Sequence, residues 1–264
     1  PFHSAPSGDA APDTARAHRS PQPARPPHAA EVKPRASRVR NGQRQGEVKP
    51  ARSPRTAPKV LTLDDPACAI HVGDCRRVLA QVPEVQRGEV DLVFADPPFN
   101  WNRGYEHWDD SMPREDYLQF TREWLTLCHA ALKPAGSLWV NIPDDTAAEI
   151  VVFLKNDLKM HMVNWCVWHY RFGQNRLGAF VSSHVHVLYF AKDAKRRIWN
   201  PQAILEPSDR ATTYFDPRTL SKKDGLPAGK RVPLDVWYGP GLGRVQGNNK
   251  ERRNFHDNQL PEAY

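Results

Sequence analysis

Long apolar runs are missing from this sequence of 264 residues, so no stretch approaches the roughly 20 consecutive apolar positions that a helix needs to span a bilayer. Cysteine is scarce. The four thiols, Cys68, Cys75, Cys128 and Cys166, show no paired spacing suited to zinc. With no export signal ahead of them, they are expected to be reduced core residues of a cytoplasmic protein, and no metal is expected. Aromatic residues are nearly absent from positions 1–60, where Phe2 stands alone. So is negative charge: 12 Lys or Arg face 4 Asp or Glu there, beside 11 of the chain's 25 prolines. Such a segment lacks the apolar surface to offset the entropy of ordering its backbone, and it reads as a disordered, basic, proline-rich tail.

The remaining positions, 61–264, are near neutral, because 37 − 12 leaves 25 basic and 30 − 4 leaves 26 acidic residues. The net charge of +7 therefore belongs mostly to the tail, which either attracts nucleic acid through counterion release or serves as a solvated linker. The 264 − 60 = 204 residues outside it suffice for one α/β domain with a sizeable core.

Within that domain, strands and helices alternate. A short strand around Ala69–Val72 runs into Gly73-Asp74-Cys75; Arg76 to Pro83 can form a helix; the strand Asp91–Ala95 follows. From Pro113, the positions Tyr117, Phe120, Trp124, Leu127, Cys128 and Ala131 recur every three or four residues, which predicts one apolar helix face closed by Lys133-Pro134-Ala135-Gly136. Next come the strand Ser137–Ile142 and a helix with Asp144, Asp145 and Thr146 as candidate caps and Ile150, Phe153 and Leu154 inward. Strands near Met162–His169 and His184–Ala191 complete the pattern. It predicts a mostly parallel sheet with helices on its faces.

Ligands of such sheets sit beyond the carboxyl ends of the strands, and Asp96-Pro97-Pro98-Phe99 stands at one of those ends. Two prolines stiffen the turn and aim its carbonyls. An exocyclic amino group of a nucleobase is a poor nucleophile, and a site that methylates it needs acceptors for both N–H bonds. The Asp96 carboxylate and the Pro97 carbonyl supply such a pair, and Phe99 a ring for stacking. A plain turn after a buried strand is the competing reading of the tetrapeptide.

The neighbouring motifs decide between the two. In order they are GDC at 73–75, VDLVFADPPFN at 90–100, GSLWVNI at 136–142, SSHVHVLYFAKD at 182–193, DVW at 235–237 and KERRNFHDNQLPEA at 250–263. From about Ala69 onward the chain resembles the amino-directed DNA methyltransferases, which act on adenine N6 or cytosine N4, in the motif order that places the catalytic tetrapeptide before the cofactor glycine loop. The resemblance implies an α/β, Rossmann-like fold, incomplete in this chain, and S-adenosylmethionine as cofactor. It implies double-stranded DNA as partner, with the target base flipped out. Asp96, Pro97, Pro98 and Phe99 are then the catalytic tetrapeptide, and Asp74, His256, Asn258, Gln259 and Pro261 flank the cofactor. Phe99 departs from the commoner Tyr but keeps the ring, and Asp96, where cytosine enzymes more often carry Ser, leans the reading toward adenine. A restriction endonuclease partner and a place beside bacterial DNA in the cytoplasm also follow from the resemblance.

Ten basic residues against five acidic ones between Lys192 and Arg231 fit phosphate contacts, and 192–235 is the expected target-recognition region; an ordinary solvated loop explains the same charges. Arg103, Arg196, Arg197, Lys222 and Lys223 are the candidate DNA contacts, and the loop Trp101–Met112 can close over a base or stay a surface excursion. His184 and His186 share a strand face, but without a third ligand nearby they are expected to be packed or hydrogen-bonded histidines. Gly239–Gly243 is not read as the cofactor loop, because no apolar strand feeds it and Pro240 removes an N–H. The family's glycine-rich turn would follow Ala263. The chain is therefore expected to be a piece of a longer enzyme, with the sheet split between the Ile70 and Val93 strands. A non-catalytic DNA-binding remnant and a methyltransferase of RNA or protein amino groups remain open alternatives.

Overall fold

The computed structural model describes residues 59–65, 67–105, 108–170, 173, 175, 177–219, 225–246, 249–253 and 259–264. The expected tail lies outside them except for its last two positions, as do His256, Asn258, Lys222 and Lys223. A hairpin of β1 (Lys59–Asp64) and β2 (Ala67–Val72) comes first, paired antiparallel from Lys59↔Val72 to Asp64↔Ala67. Two short helices follow, α1 (Cys75–Leu79) and α2 (Pro83–Arg87), where one was expected. Asp74 caps α1 by accepting from the Arg76 N–H at 3.0 Å, and Gly88 ends α2 with φ 67°, a left-handed conformation that favours glycine.

The central sheet holds β3 (Val90–Ala95), β4 (Leu132–Ile142), β5 (His161–His169), β6 (His184–Ala191) and, later in the chain, β9 (Val236–Trp237), in the order β3-β4-β6-β5-β9. Only β3–β4 and β5–β9 run parallel; β6 lies antiparallel to both β4 and β5. The expected α/β layering holds, whereas the mostly parallel sheet does not. The cause is local: the described residues between β5 and β6 hold no helix to make a crossover, and β6 turns back on its neighbours. The expected split between the Ile70 strand, β2, and the Val93 strand, β3, is present. Strand β2 pairs with β1 alone among the described strands, so β3 is a sheet edge.

Helix α3 (Arg114–Ala131) carries the chain from β3 to its parallel neighbour β4, and α4 (Asp144–Asn156) follows β4. The predicted stripe of α3 is buried at Tyr117, Phe120, Trp124, Cys128 and Ala131 and is widened by Leu118, Thr121 and Leu125. On α4 neither Asp144, Asp145 nor Thr146 caps the helix; Pro143 takes the cap position, and both acids sit in the first turn, where they favour the helix dipole. Leu125, Leu138, Val140, Ile142, Leu154, Leu188 and Phe190 are wholly buried between this helical layer and the sheet. Each such side chain stabilises the fold by about 1.5–3 kcal/mol through removal of apolar surface from water. The other sheet face is covered by a second cluster of Cys166, Trp168, Tyr170, Val185 and Val187, with Phe99, Leu242, Leu260 and Tyr264 packed on it.

Two of the four thiols are core residues as expected, Cys128 and Cys166; Cys68 and Cys75 are exposed, because the elements that carry them lie on the surface. Beyond the sheet, β7 (Glu206–Pro207) pairs with β8 (Lys230–Arg231), and a single-turn α5 (Asp209–Thr212) lies between them. No helix of the described residues is long and apolar enough to cross a membrane.

Candidate active site

Strand β3 ends at Ala95, which pairs with Val140, so Asp96 emerges beside Asn141 at the carboxyl end of two parallel strands. Asn141 is buried, and its Nδ2 donates to Asp96 Oδ1 at 2.7 Å. The Tyr264 hydroxyl donates in turn to Asn141 Oδ1 at 3.1 Å, which fixes the amide's orientation. Burial first, and then the Asp96 charge, push the Tyr264 hydroxyl well above the usual tyrosine range, so it stays a neutral donor.

The prolines are braced from the helical layer. Tyr117, 1% exposed on α3, donates its hydroxyl to the Pro98 carbonyl at 2.7 Å. Burial raises its pKa as well, so this donor also stays protonated. Of the two proline carbonyls, Pro98's is thereby taken up inside the protein. The chain then turns sharply: Asn100 and Asn102 hold φ of 60° and 56°, a region in which Asn is among the better tolerated residues. Asp110, 3% exposed, accepts the backbone N–H groups of Asn100 at 2.9 Å and of Trp101 and Arg103 at 3.0 Å each. Asn100 closes the loop from its other side, donating to the Met112 carbonyl and accepting the Met112 N–H, both at 2.8 Å.

The result is a cavity of about 230 Å³ lined by Asp96, Pro97, Phe99, Trp168 and Tyr170, with Arg103 and Arg244 among its other lining residues. Phe99 and Trp101 meet edge to face, with centroids 5.1 Å apart at 79°. The Arg244 guanidinium lies over the Tyr170 ring at 5.1 Å. A space of this size lies below the range typical of drug-sized ligands, and aromatic rings and a carboxylate are among the groups that line it.

The candidate cofactor contacts are brought together less well. Asp74 does not line this cavity; it is bonded to Arg76, which also pairs with Glu123, and the Arg76 guanidinium holds the Asp74 carboxyl below its ordinary range. Gln259 does line it, but its amide donates to the Glu251 carbonyl and accepts from the Arg253 N–H, each at 2.8 Å. Pro261 is buried and offers no N–H. Among the described residues these groups do not frame a second, nucleoside-sized site for a methyl donor. Of the candidate DNA contacts, Arg103 reaches the cavity. Arg196, paired with Asp193, and Arg197, bonded to the Ala194 carbonyl, follow β6 at the opposite end of the sheet.

Trp165 Nε1 donates to His186 Nδ1 at 2.9 Å, and the His184 ring is 5.1 Å away, so one of the pair is hydrogen-bonded as expected. The described residues contain no group of three side chains able to hold a metal ion. Gly239 and Gly241, with φ of 121° and 79°, form a turn whose Leu242 carbonyl accepts from Trp168 Nε1 at 2.6 Å.

Asn141, Tyr117, Asp110, Trp168, Tyr170 and Arg244 were not singled out as site residues from sequence. Asn141 carried a signal, an amide near the end of an apolar strand, where a buried polar side chain needs a partner. Tyr117 was hidden by its place in the helix stripe, and Asp110 looked like one more loop acid.

An α/β sheet with its cavity beyond the carboxyl ends of two parallel strands, and an acid from the first of them in its wall, defines the class of protein. Within it, the chain belongs to the N6/N4 DNA methylase family, whose profile, described as DNA methylase, matches residues 90–264. It is 28% identical over 189 residues to the type II methyltransferase M.HpaI of Haemophilus parainfluenzae, which covers 72% of this chain and 55% of the relative. To the type II methyltransferase M.BglII of Bacillus subtilis it is 27% identical over 201 residues, 73% of this chain and 53% of the relative. The chain thus spans about half the length of the curated relatives it matches. Among solved structures, the cytosine-N4-specific PvuII DNA methyltransferase superposes with a TM-score of 0.41 at 13% identity, covering 68% of this chain and 58% of the other.

Proposed function

We propose that this chain carries the acceptor-base half of a DNA methyltransferase that moves a methyl group from S-adenosylmethionine to an exocyclic amino group, adenine N6 in preference to cytosine N4. The observation that carries the reading is the braced acid: Asp96 held by Asn141 at the rim of a ring-sized aromatic cavity. Asp96 accepts one N–H of the amino group. The Pro97 carbonyl takes the other, since Pro98's is occupied by Tyr117. Two acceptors draw the nitrogen toward a tetrahedral form, and the carboxylate meets the positive charge that grows on it and receives its surplus proton. Phe99 and Trp168 stack on a base turned out of the duplex, which offsets part of the unstacking cost, on the order of 1–3 kcal/mol per stacked base. Arg103 meets the backbone beside it. The preference for adenine rests on Asp at position 96 and on the family pattern. A restriction endonuclease partner and a cytoplasmic place beside bacterial DNA belong to the same proposal.

The test is transfer of labelled methyl groups from S-adenosylmethionine by the full-length protein to unmethylated bacterial genomic DNA, followed by nucleoside analysis. Label in N6-methyladenine is expected. Label in cytosine would reverse the base preference, and label in RNA or protein but not in DNA would sink the assignment. Asp96→Ala should lower kcat by about 10²–10⁴-fold with the fold intact. A second reading, DNA binding without transfer, is favoured by the internal bonding of Asp74 and Gln259. Calorimetric titration of the full-length protein with S-adenosylmethionine separates the two, since the second reading predicts no heat of binding.

A further inference from the structure

Asp110 stands outside the chemistry just described, yet it is among the most deeply buried acids of the described residues. A carboxylate in such a place is unfavourable unless hydrogen bonds replace its lost hydration. Here no cation pairs with it among the described residues. Its charge is met by three backbone N–H groups, from Asn100, Trp101 and Arg103, while its own carbonyl accepts the Asn102 N–H at 2.7 Å. Four consecutive residues are thus tied to one acid. They are the four that follow Phe99, and two of them sit in a left-handed conformation that few side chains adopt unaided. The turn they make carries Trp101, whose ring meets the edge of Phe99, and Arg103, whose side chain lines the cavity.

We propose that Asp110 is the positioning residue of the base pocket: by clamping the Asn100–Arg103 turn it sets the Phe99–Trp101 wall at the depth where a flipped base stacks, and so governs how well DNA is held without taking part in methyl transfer. The proposal rests on the acceptor-base reading of the cavity. Asp109, one residue earlier, makes the contrast. It is exposed, its backbone bridges Gly104, and among the described residues its carboxylate accepts from Ser111 alone, through that residue's N–H at 3.0 Å and its hydroxyl at 2.6 Å. Two adjacent acids in one loop therefore differ in everything the proposal depends on.

A clamp on a stacking wall acts equally on the bound base and on the transition state, so its loss raises KM and spares kcat. Loss of stacking on one base weakens binding about tenfold or more. The experiment uses the full-length protein, tritiated S-adenosylmethionine and unmethylated bacterial genomic DNA, with wild type, Asp110→Asn and Asp109→Asn compared. Alongside it, hydrogen exchange at the amides of residues 100, 101 and 103 is followed without DNA. Asp110→Asn keeps the shape but replaces one acceptor oxygen with a donor. Faster exchange at those amides, a KM for DNA raised about tenfold and a kcat within about twofold of wild type are expected, with Asp109→Asn matching wild type in all three. A merely structural role would lower the amount of active protein and leave KM alone, and that result overturns the proposal. Should Asp110→Asn not fold, Asp110→Glu keeps both oxygens one methylene further out. Faster exchange at wild-type KM in that variant overturns the proposal too. Wild-type protein that transfers no methyl group to DNA overturns the reading of the cavity, and the proposal with it. An active wild type whose Asp110→Asn variant has an unchanged KM overturns the proposal alone.

Discussion

The hairpin β1–β2 and the pair β4–β6 are built from similar residues and fare differently. Every residue of β2 is exposed, with Ile70 at 51% and Val72 at 56%, whereas Leu138, Val140, Val187, Leu188 and Phe190 are wholly buried. Both pairs have complete antiparallel ladders. What separates them is cover: β4 and β6 lie between α3 and α4 on one side and the Trp168 cluster on the other, while neither face of β2 is covered by the described residues. Backbone pairing alone makes a strand, and packing against other elements makes a core. The acid of the candidate site belongs to neither extreme. It sits at the tip of β3, with one side on β4 and the other at the sheet edge.

Four measurements would break or sharpen that contrast. Thiol labelling under native conditions should show the largest difference: Cys68 on β2 reacts at once. Cys128, pushed up to about 12 by burial, and Cys166, pushed up to about 11 chiefly by burial, react on the order of 10³-fold more slowly, only through unfolding. Equal rates at all four would mean that the core opens freely. Next, Phe190→Ala should destabilise by about 3–5 kcal/mol in denaturant unfolding, against about 0.5 kcal/mol or less for Ile70→Ala. A large loss in the second variant would reveal cover for β2 that the described residues do not provide. Tyr117→Phe, which strands the Pro98 carbonyl, should cost about 1–2 kcal/mol, measured the same way.

The smallest effect concerns Asp74. Its carboxyl is held below the ordinary Asp range, chiefly by the Arg76 side chain, so the folded value lies under the unfolded one. The stability it adds is present above the ordinary Asp range and disappears as pH falls through the lowered folded value. Asp74→Asn should therefore cost about 1 kcal/mol or less at pH 7, and this difference from wild type should vanish in strong acid. A difference that persisted there would trace to packing and not to charge.

Much of the fold was legible because its elements are strongly periodic. The α3 stripe and the strands of β4, β5 and β6 follow from spacing alone, within a residue or two at most ends. Strand direction was not legible, since a loop and a helix of similar length can both join β5 to β6, and hydrophobic alternation is blind to orientation. At the site, Asp96 to Phe99 could be read because two prolines after an apolar strand announce a rigid turn. Asn141, Tyr117 and Asp110 could not, because each acts across 10 or more positions: Asn141 on Asp96, Tyr117 on Pro98, Asp110 back on Asn100. Local patterns carry no trace of such long pairings.

The place of β3 at the margin of the sheet has one more consequence. Leu92 and Phe94 are exposed beside a backbone row that no described strand pairs with, and Asp91, bound to Lys133 at 2.9 Å, is a charge of the kind that guards an edge against chance association. Fraying begins at margins, where one row of backbone groups has no ladder partner. Whatever comes to lie along that row, from this polypeptide or another, will stiffen the strand from its flank and steady the carboxylate at its tip. Order at Asp96 thus depends on the pairing state of β3 along its open flank.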